Sequence, residues 1–245
     1  MKIYAIGDMH FSFSRPVDPL RWDDVETYKP MDIFGAEWRG HYRKIYDNWV
    51  KIINNEDIVL IPGDFSWAMK LSEARYDLDF LGLLPGTIVG IPGNHDLWWQ
   101  SLSRVREALP PNMRLLQNDH TEVGNVSLCG SRGWLCPGAE YFSDHDLKIY
   151  RRELIRMENS LKSAGPAGKE IIVMMHFMPV NDRHEKNEFI EMFQYYRVNT
   201  VVYGHLHGAA TRLRLPGRAW GIKFQLASAD FLHFAPVLIK DEGLI

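Results

Sequence analysis

Five short apolar runs, rich in Ile, Val and Leu, each stop abruptly at residues that bind metals. Lys2–Ile6 runs into Gly7 and Asp8, and Ile58–Ile61 into Pro62, Gly63 and Asp64. Thr87–Ile91 runs into Pro92, Gly93, Asn94 and His95. Ile171–Met175 ends at His176, and Thr200–Tyr203 at Gly204 and His205. Continuous apolar runs of this length suit strands buried on both faces. Between them lie amphipathic helical patterns at 41–54, 72–84, 97–109, 144–163 and 186–197. Ser72 is the expected N-cap of the second, and Ser143 with Asp146 the capping pair of the fourth.

Strand–helix alternation predicts an α/β protein with a largely parallel core. In such sheets the carboxyl ends of the strands share one edge, where ligands bind. Five strand ends tipped with Asp, Asn and His are therefore expected to converge. Further strands are expected at Arg114–Gln117, Val126–Gly130 and Ile222–Ala227. Residues 11–40 lack periodicity and are rich in aromatics, Pro and Asp, so they read as a long insertion beside the first strand end, shaping a pocket within one domain spanning 1–245. Loops this long are uncommon unless they serve a function.

The converging set mixes carboxylate, amide and imidazole without a thiolate, which suits Mn, Fe, Zn, Ni or Co. Seven groups exceed what one catalytic ion with open positions accepts. They match two ions about 3.5–4 Å apart that share a bridging carboxylate and clamp a phosphoryl displacement. Gly7, Gly93 and Gly204 are expected to serve tight turns beside the ions.

These motifs resemble those of the calcineurin-like metallophosphoesterase superfamily, whose pattern is D-x-H, G-D, G-N-H-[DE], an isolated His after a strand, and G-H-x-H. The chain carries Asp8-Met9-His10, Gly63-Asp64, Gly93-Asn94-His95-Asp96, His176 and Gly204-His205-Leu206-His207, in the family order. The resemblance implies a fold of two packed mixed β-sheets flanked by helices, a four-layer α/β/β/α sandwich. It implies that Asp8, His10 and His207 hold one metal, that Asn94, His176 and His205 hold the other, and that Asp64 bridges them. It further implies metal-hydroxide attack on a phosphate ester, with His95 contacting the phosphate and protonating the leaving oxygen. Trp67 and Ala68 stand where Ser/Thr protein phosphatases carry a carboxylate and an arginine. Trp67 also stands where purple acid phosphatases carry tyrosine. Neither assignment follows, and Asp96 is the nearest candidate by sequence to orient His95.

The net charge of −3 offers no basic field for nucleic acid, so the expected partner is a small phosphate ester, such as a nucleotide. A non-catalytic metal-binding scaffold of the same fold, and a mononuclear hydrolase of another bond, are the rival readings. No apolar run approaches the ~18–20 residues of a membrane span, and no signal peptide is visible, so a cytoplasmic protein is expected. Cys129 and Cys136 are expected as free buried thiols. His41 and His145 read as surface residues, and Lys148–Arg156 as the wet face of a helix. Trp67, Trp98, Trp99 and Trp134 read as loop packing or as a pocket wall. Arg132, on a loop after a strand, is placed to reach a phosphate.

Overall fold

Alternation along each strand decides how the layers form. In the first strand, Ile3 and Ala5 point to one side and Tyr4 and Ile6 to the other, and all four are buried. A strand buried on both faces must lie between two layers. In a computed structural model, which describes residues 1–165 and 169–243, it does. The elements in chain order are β1 (Lys2–Ala5), α1 (His41–Ile52), β2 (Ile58–Ile61), α2 (Leu71–Gly82), β3 (Thr87–Gly90) and α3 (Leu102–Glu107). There follow β4 (Met113–Leu115), β5 (His120–Val123), β6 (Val126–Ser131), α4 (Asp144–Ser163) and β7 (Glu170–Met175). The chain ends with α5 (Glu188–Tyr195), β8 (Thr200–Tyr203), β9 (Arg218–Ala219), β10 (Ile222–Leu226) and β11 (Val237–Asp241).

The strands form two sheets, ordered β11-β1-β2-β3-β4 and β5-β6-β7-β8-β10-β9. Both are parallel inside, with antiparallel strands only at edges: β11 on the first, β5 and β9 on the second. The sheets face each other across an apolar seam of Ile3, Leu60 and Val89 against Leu128, Met174 and Val202. On the far face of the first sheet, Tyr4, Val59 and Ile61 pack with Ile45 and Trp49 of α1 and Leu78 of α2. On the far face of the second, Val173, Val201 and Tyr203 pack with Tyr150 and Met157 of α4 and Phe189 of α5. The result is the expected α/β/β/α order. Each fully buried Ile, Val or Leu contributes about 1.5–3 kcal/mol to holding it.

Several expectations are corrected. α2 begins at Leu71 with Lys70 as N-cap and no side-chain cap, so Ser72 does not cap it. The helix expected over 97–109 spans only Leu102–Glu107. The chain just before it is committed elsewhere: the Trp98 indole donates to Asp96 Oδ1 at 2.9 Å and the Trp99 indole to Gln117 Oε1 at 3.0 Å. The Ser143–Asp146 capping box forms as read. The strand expected over 114–117 is Met113–Leu115, and β5, β9 and β11 were not anticipated.

The insertion is built rather than loose. It contains 3-10 turns at Trp22–Asp24, Met31–Phe34 and Ala36–Trp38. Phe13 N–H donates to Asp77 Oδ1 of α2 at 2.8 Å, and Ser12 Oγ donates to the Lys29 carbonyl at 2.9 Å. His41 is buried, not exposed, because its ring packs between Phe11 and Trp38. Cys129 and Cys136 are both buried and free.

Candidate metal centre

The seven predicted ligands lie at the carboxyl ends of strands from both sheets. Asp8 and His10 follow β1, Asp64 follows β2 and Asn94 follows β3; His176 follows β7, and His205 and His207 follow β8. The structure brings all seven together. Asp8, His10 and His207 offer ligand atoms within 4.8 Å of one another, and so do Asp8, Asp64 and His176. His207 Nε2 is 3.6 Å from Asp8 Oδ1, and His10 Nε2 is 3.6 Å from Asp64 Oδ2. Asn94 Oδ1 sits between two imidazoles, 2.6 Å from His176 Nε2 and 3.0 Å from His205 Nδ1. The Asp64 carboxylate lies between these groups, with Oδ2 3.5 Å from His176 Nε2.

The backbone bends sharply at the ligands themselves. Asp8, His10, Asp64 and His205 have φ of 55°, 50°, 54° and 72°, a region costly for side chains other than glycine. Such strain concentrates at functional sites. The flanking glycines do a different job from the one expected. Gly7, Gly93 and Gly204 are absent from the positive-φ positions, whereas Gly63 has φ 93°. A Cβ on Gly93 would collide with the Asp64 carboxylate, and one on Gly204 with that of Asp8. These glycines leave room for carboxylates to reach the centre.

The donor set fits divalent cations. His10 Nδ1 and His207 Nε2 are buried without a hydrogen-bond partner among the described residues. Unpartnered buried polar atoms are rare and call for a ligand. Burial pushes His10 well below its usual pKa and His205, beside His176, down to about 3, so both rings are neutral donors. Burial would raise Asp8, but His207, His176 and His10 hold it well below the usual carboxylate range. Burial and the Asp8 charge push Asp64 up to about 8. Two buried carboxylates this close call for a cation between them.

Two carboxylates that sequence reasoning did not place as they stand hold the centre in shape. Asp96 does not orient His95. Its two oxygens accept the backbone N–H of Asp64, Phe65, Ser66 and Gly93 and the Trp98 indole, at 2.7–3.2 Å. It thereby ties the loop after β2 to the loop after β3. Asp230, beyond β10, accepts from His207 Nδ1 at 2.9 Å and from Gly208 N–H at 2.8 Å. Burial would lower His207, but the carboxylates of Asp230 and Asp8 outweigh it and raise the ring to about 10 in the metal-free centre. No local pattern marks Asp230, because β10 alternates apolar and polar residues and gives no unbroken run pointing to it.

His95 donates its backbone N–H to Asp64 Oδ1 at 2.8 Å. Its ring packs against Trp67 at 4.3 Å and faces the His10 edge at 5.5 Å. Trp67 stacks on His10 at 4.6 Å, so it belongs to the site; Trp98 is buried in the core. Trp134 lies 4.9 Å from Phe177, whose ring is 4.1 Å from His205. A cavity of about 280 Å³ opens beside His10, His95 and His207, walled by Met31, Phe34 and Trp38 of the insertion.

The helix carrying Lys148–Arg156 is not wholly wet, because Tyr150 and Glu153 are buried. Among the described residues no helix is long and apolar enough to cross a membrane.

The chain is 25% identical over 178 residues to an uncharacterized protein of Methanocaldococcus jannaschii, covering 71% of this chain and 90% of the relative. A crystal structure of an Aquifex aeolicus protein of unknown function superposes over 97% of this chain and 95% of its own, with 16% identity and a TM-score of 0.47. The sequence profile of the calcineurin-like phosphoesterase family matches residues 1–209, from the first strand through the last motif, and the chain belongs to that family.

Proposed function

We propose that this protein is a binuclear metal-dependent phosphoesterase acting on small phosphomonoesters or phosphodiesters. The observation that carries the reading is the convergence of the donors, with Asp64 Oδ2 standing between two imidazoles, 3.6 Å from His10 Nε2 and 3.5 Å from His176 Nε2. Asp8, His10 and His207 would hold one divalent ion, Asn94, His176 and His205 the other, and Asp64 both. When bound, such ions supply Lewis-acid polarisation of the phosphoryl oxygen and acidification of the attacking water. The mixed oxygen and nitrogen donors suit Mn, Fe, Zn, Ni or Co.

His95 serves the leaving oxygen. Burial, His176 and Lys29 hold its pKa down at about 4, so near neutral pH it is a neutral ring with one N–H to offer. An anionic phosphate ester bound beside the ring raises that pKa so that His95 takes up a second proton. The imidazolium gives this proton to the leaving oxygen as the ester bond breaks and returns to the neutral ring. No described carboxylate pairs with the ring, and Trp67 positions it by contact instead. The insertion walls the cavity beside His95, which supports a small substrate such as a nucleotide over a polymer. The free thiols of Cys129 and Cys136 suit a reducing, cytoplasmic compartment.

The test is hydrolysis of p-nitrophenyl phosphate and bis(p-nitrophenyl) phosphate by metal-stripped protein, with Mn²⁺, Zn²⁺, Ni²⁺ or Mg²⁺ added back. Metal-dependent turnover is expected, and its loss in His95→Ala and Asp64→Ala. Two ions bound per chain without turnover of either ester would favour a scaffold of the same fold.

A further inference from the structure

Arg132 follows β6, which runs parallel to β7 with Ser131 paired to Met175, so it stands level with His176 one strand away. Its carbonyl accepts the backbone N–H of both His176 and Phe177, at 3.0 and 3.1 Å. The position of Arg132 is thus tied to that of a proposed ligand.

The side chain is set up to bind something. Its guanidinium lies over the Trp134 ring at 4.8 Å and is only 21% exposed. Arginine has five N–H donors, yet Arg132 gives none of them to a described residue, and its Nε is buried without a partner. Among the described residues the one carboxylate within ion-pair distance is Glu153, 3.7 Å from Nη2, beyond hydrogen-bond range. Glu153 is already engaged by Arg156 at 2.7 Å, with Arg152 at 3.9 Å. One carboxylate among three guanidinium groups leaves positive charge uncompensated. Trp134, on which the guanidinium lies, packs 4.9 Å from Phe177, whose ring is 4.1 Å from His205, so the side chain stands on the wall of the centre. Holding a desolvated cation with free donors beside a metal centre is costly unless an anion completes it.

Resting on the phosphoesterase reading, we propose that Arg132 is a substrate-binding residue that grips terminal oxygens of the phosphoryl group and selects phosphomonoesters over diesters. A monoester offers three terminal oxygens and up to two charges, a diester two oxygens and one charge. A guanidinium acting beside two metal ions is fully used only by the monoester.

The experiment compares Arg132→Met and Arg132→Lys with wild type and with the exposed control Arg151→Met, all metal-loaded. It reads kcat/KM for p-nitrophenyl phosphate and bis(p-nitrophenyl) phosphate, inhibition by inorganic phosphate, metal content and melting temperature. Arg132→Met is expected to lower monoester kcat/KM by about 10- to 100-fold and to weaken phosphate inhibition about tenfold. The diester is expected to lose less than about threefold on the same grounds. Arg132→Lys keeps charge but not the fork, so it falls between. If Arg132→Met does not fold, Arg132→Lys decides, by a selective monoester loss. Equal losses on both esters, or no loss, overturn the proposal while wild-type turnover leaves the phosphoesterase reading standing. Wild-type protein that neither hydrolyses an ester nor binds phosphate overturns both.

Discussion

The Nδ1 of His207 meets Oδ1 of Asp230 at 2.9 Å, and this bond turns Nε2 toward Asp8. A carboxylate behind a metal-binding imidazole fixes its tautomer and raises its basicity, typically worth 10- to 100-fold in metal affinity. Asp230→Ala is therefore expected to weaken metal binding about 10- to 100-fold with little change in the metal-free fold. Titration of stripped protein with Zn²⁺ or Mn²⁺ checks this. Unchanged affinity would mean the bond only anchors the Gly208 turn.

Asp96 gathers five N–H donors from two loops. Asp96→Ala leaves all five unpaired in the interior. Losing such a buried charged acceptor costs about 3–5 kcal/mol. Urea unfolding of the metal-free protein should show that loss. A change under about 1 kcal/mol would show that water replaces the carboxylate without penalty.

Asp77 gives a pH signature. Burial pushes its pKa up to about 7 from an ordinary 3.8, although it accepts hydrogen bonds from Ser66 Oγ and Phe13 N–H. The folded state thus holds this proton more tightly than the unfolded chain. The associated stability is fully present below about pH 4, is lost between pH 4 and 7, and is level above, amounting to a few kcal/mol. Asp77→Asn cannot ionise, so its stability relative to wild type should rise across that window. Parallel curves for the two proteins from pH 4 to 7 would refute the assignment.

Gly204→Ala tests the room left for Asp8. Its methyl would overlap the Asp8 carboxylate, so one metal should be lost and turnover should fall by about 100-fold or more. Metal analysis beside kcat reads both, and two ions at full activity would show that Asp8 can shift without harm.

Phe34 lies on the cavity wall and is 55% exposed, so its truncation spares the fold. Phe34→Ala should change the ratio of kcat/KM between 1-naphthyl and phenyl phosphate by about threefold or more, with metal content unchanged. An unaltered ratio would remove the insertion from substrate selection.

Much of this architecture is legible in the chain itself, for identifiable reasons. Strands buried on both faces leave unbroken apolar runs, so the strands that carry the ligands, and their metal-binding tips, stood out. The edge strands did not. β9 has two residues, and β5 is polar because one side faces solvent, so neither carries a run. α3 was overread because Trp98 and Trp99 fit a helical period while their indoles serve Asp96 and Gln117. His41 was misjudged because the aromatics that bury it come from the insertion, whose 3-10 turns leave no periodic trace. Supporting carboxylates such as Asp230 and Asp77 act through pairs of bonds to residues distant in sequence, which no local pattern announces.

The donors come from two sheets, and what keeps those sheets apart is the dry seam of Ile3, Leu60 and Val89 against Leu128, Met174 and Val202. The seam therefore works as a spacer gauge for the centre. Packed side chains do not compress, so the gap between the Asp8–Asp64 side and the His176–His205 side inherits the thickness of that layer. Val89→Ala or Met174→Ala, which remove no donor, would thin or loosen the gauge. In this protein the tuning of the chemistry is shared with buried apolar residues that offer no donor of their own.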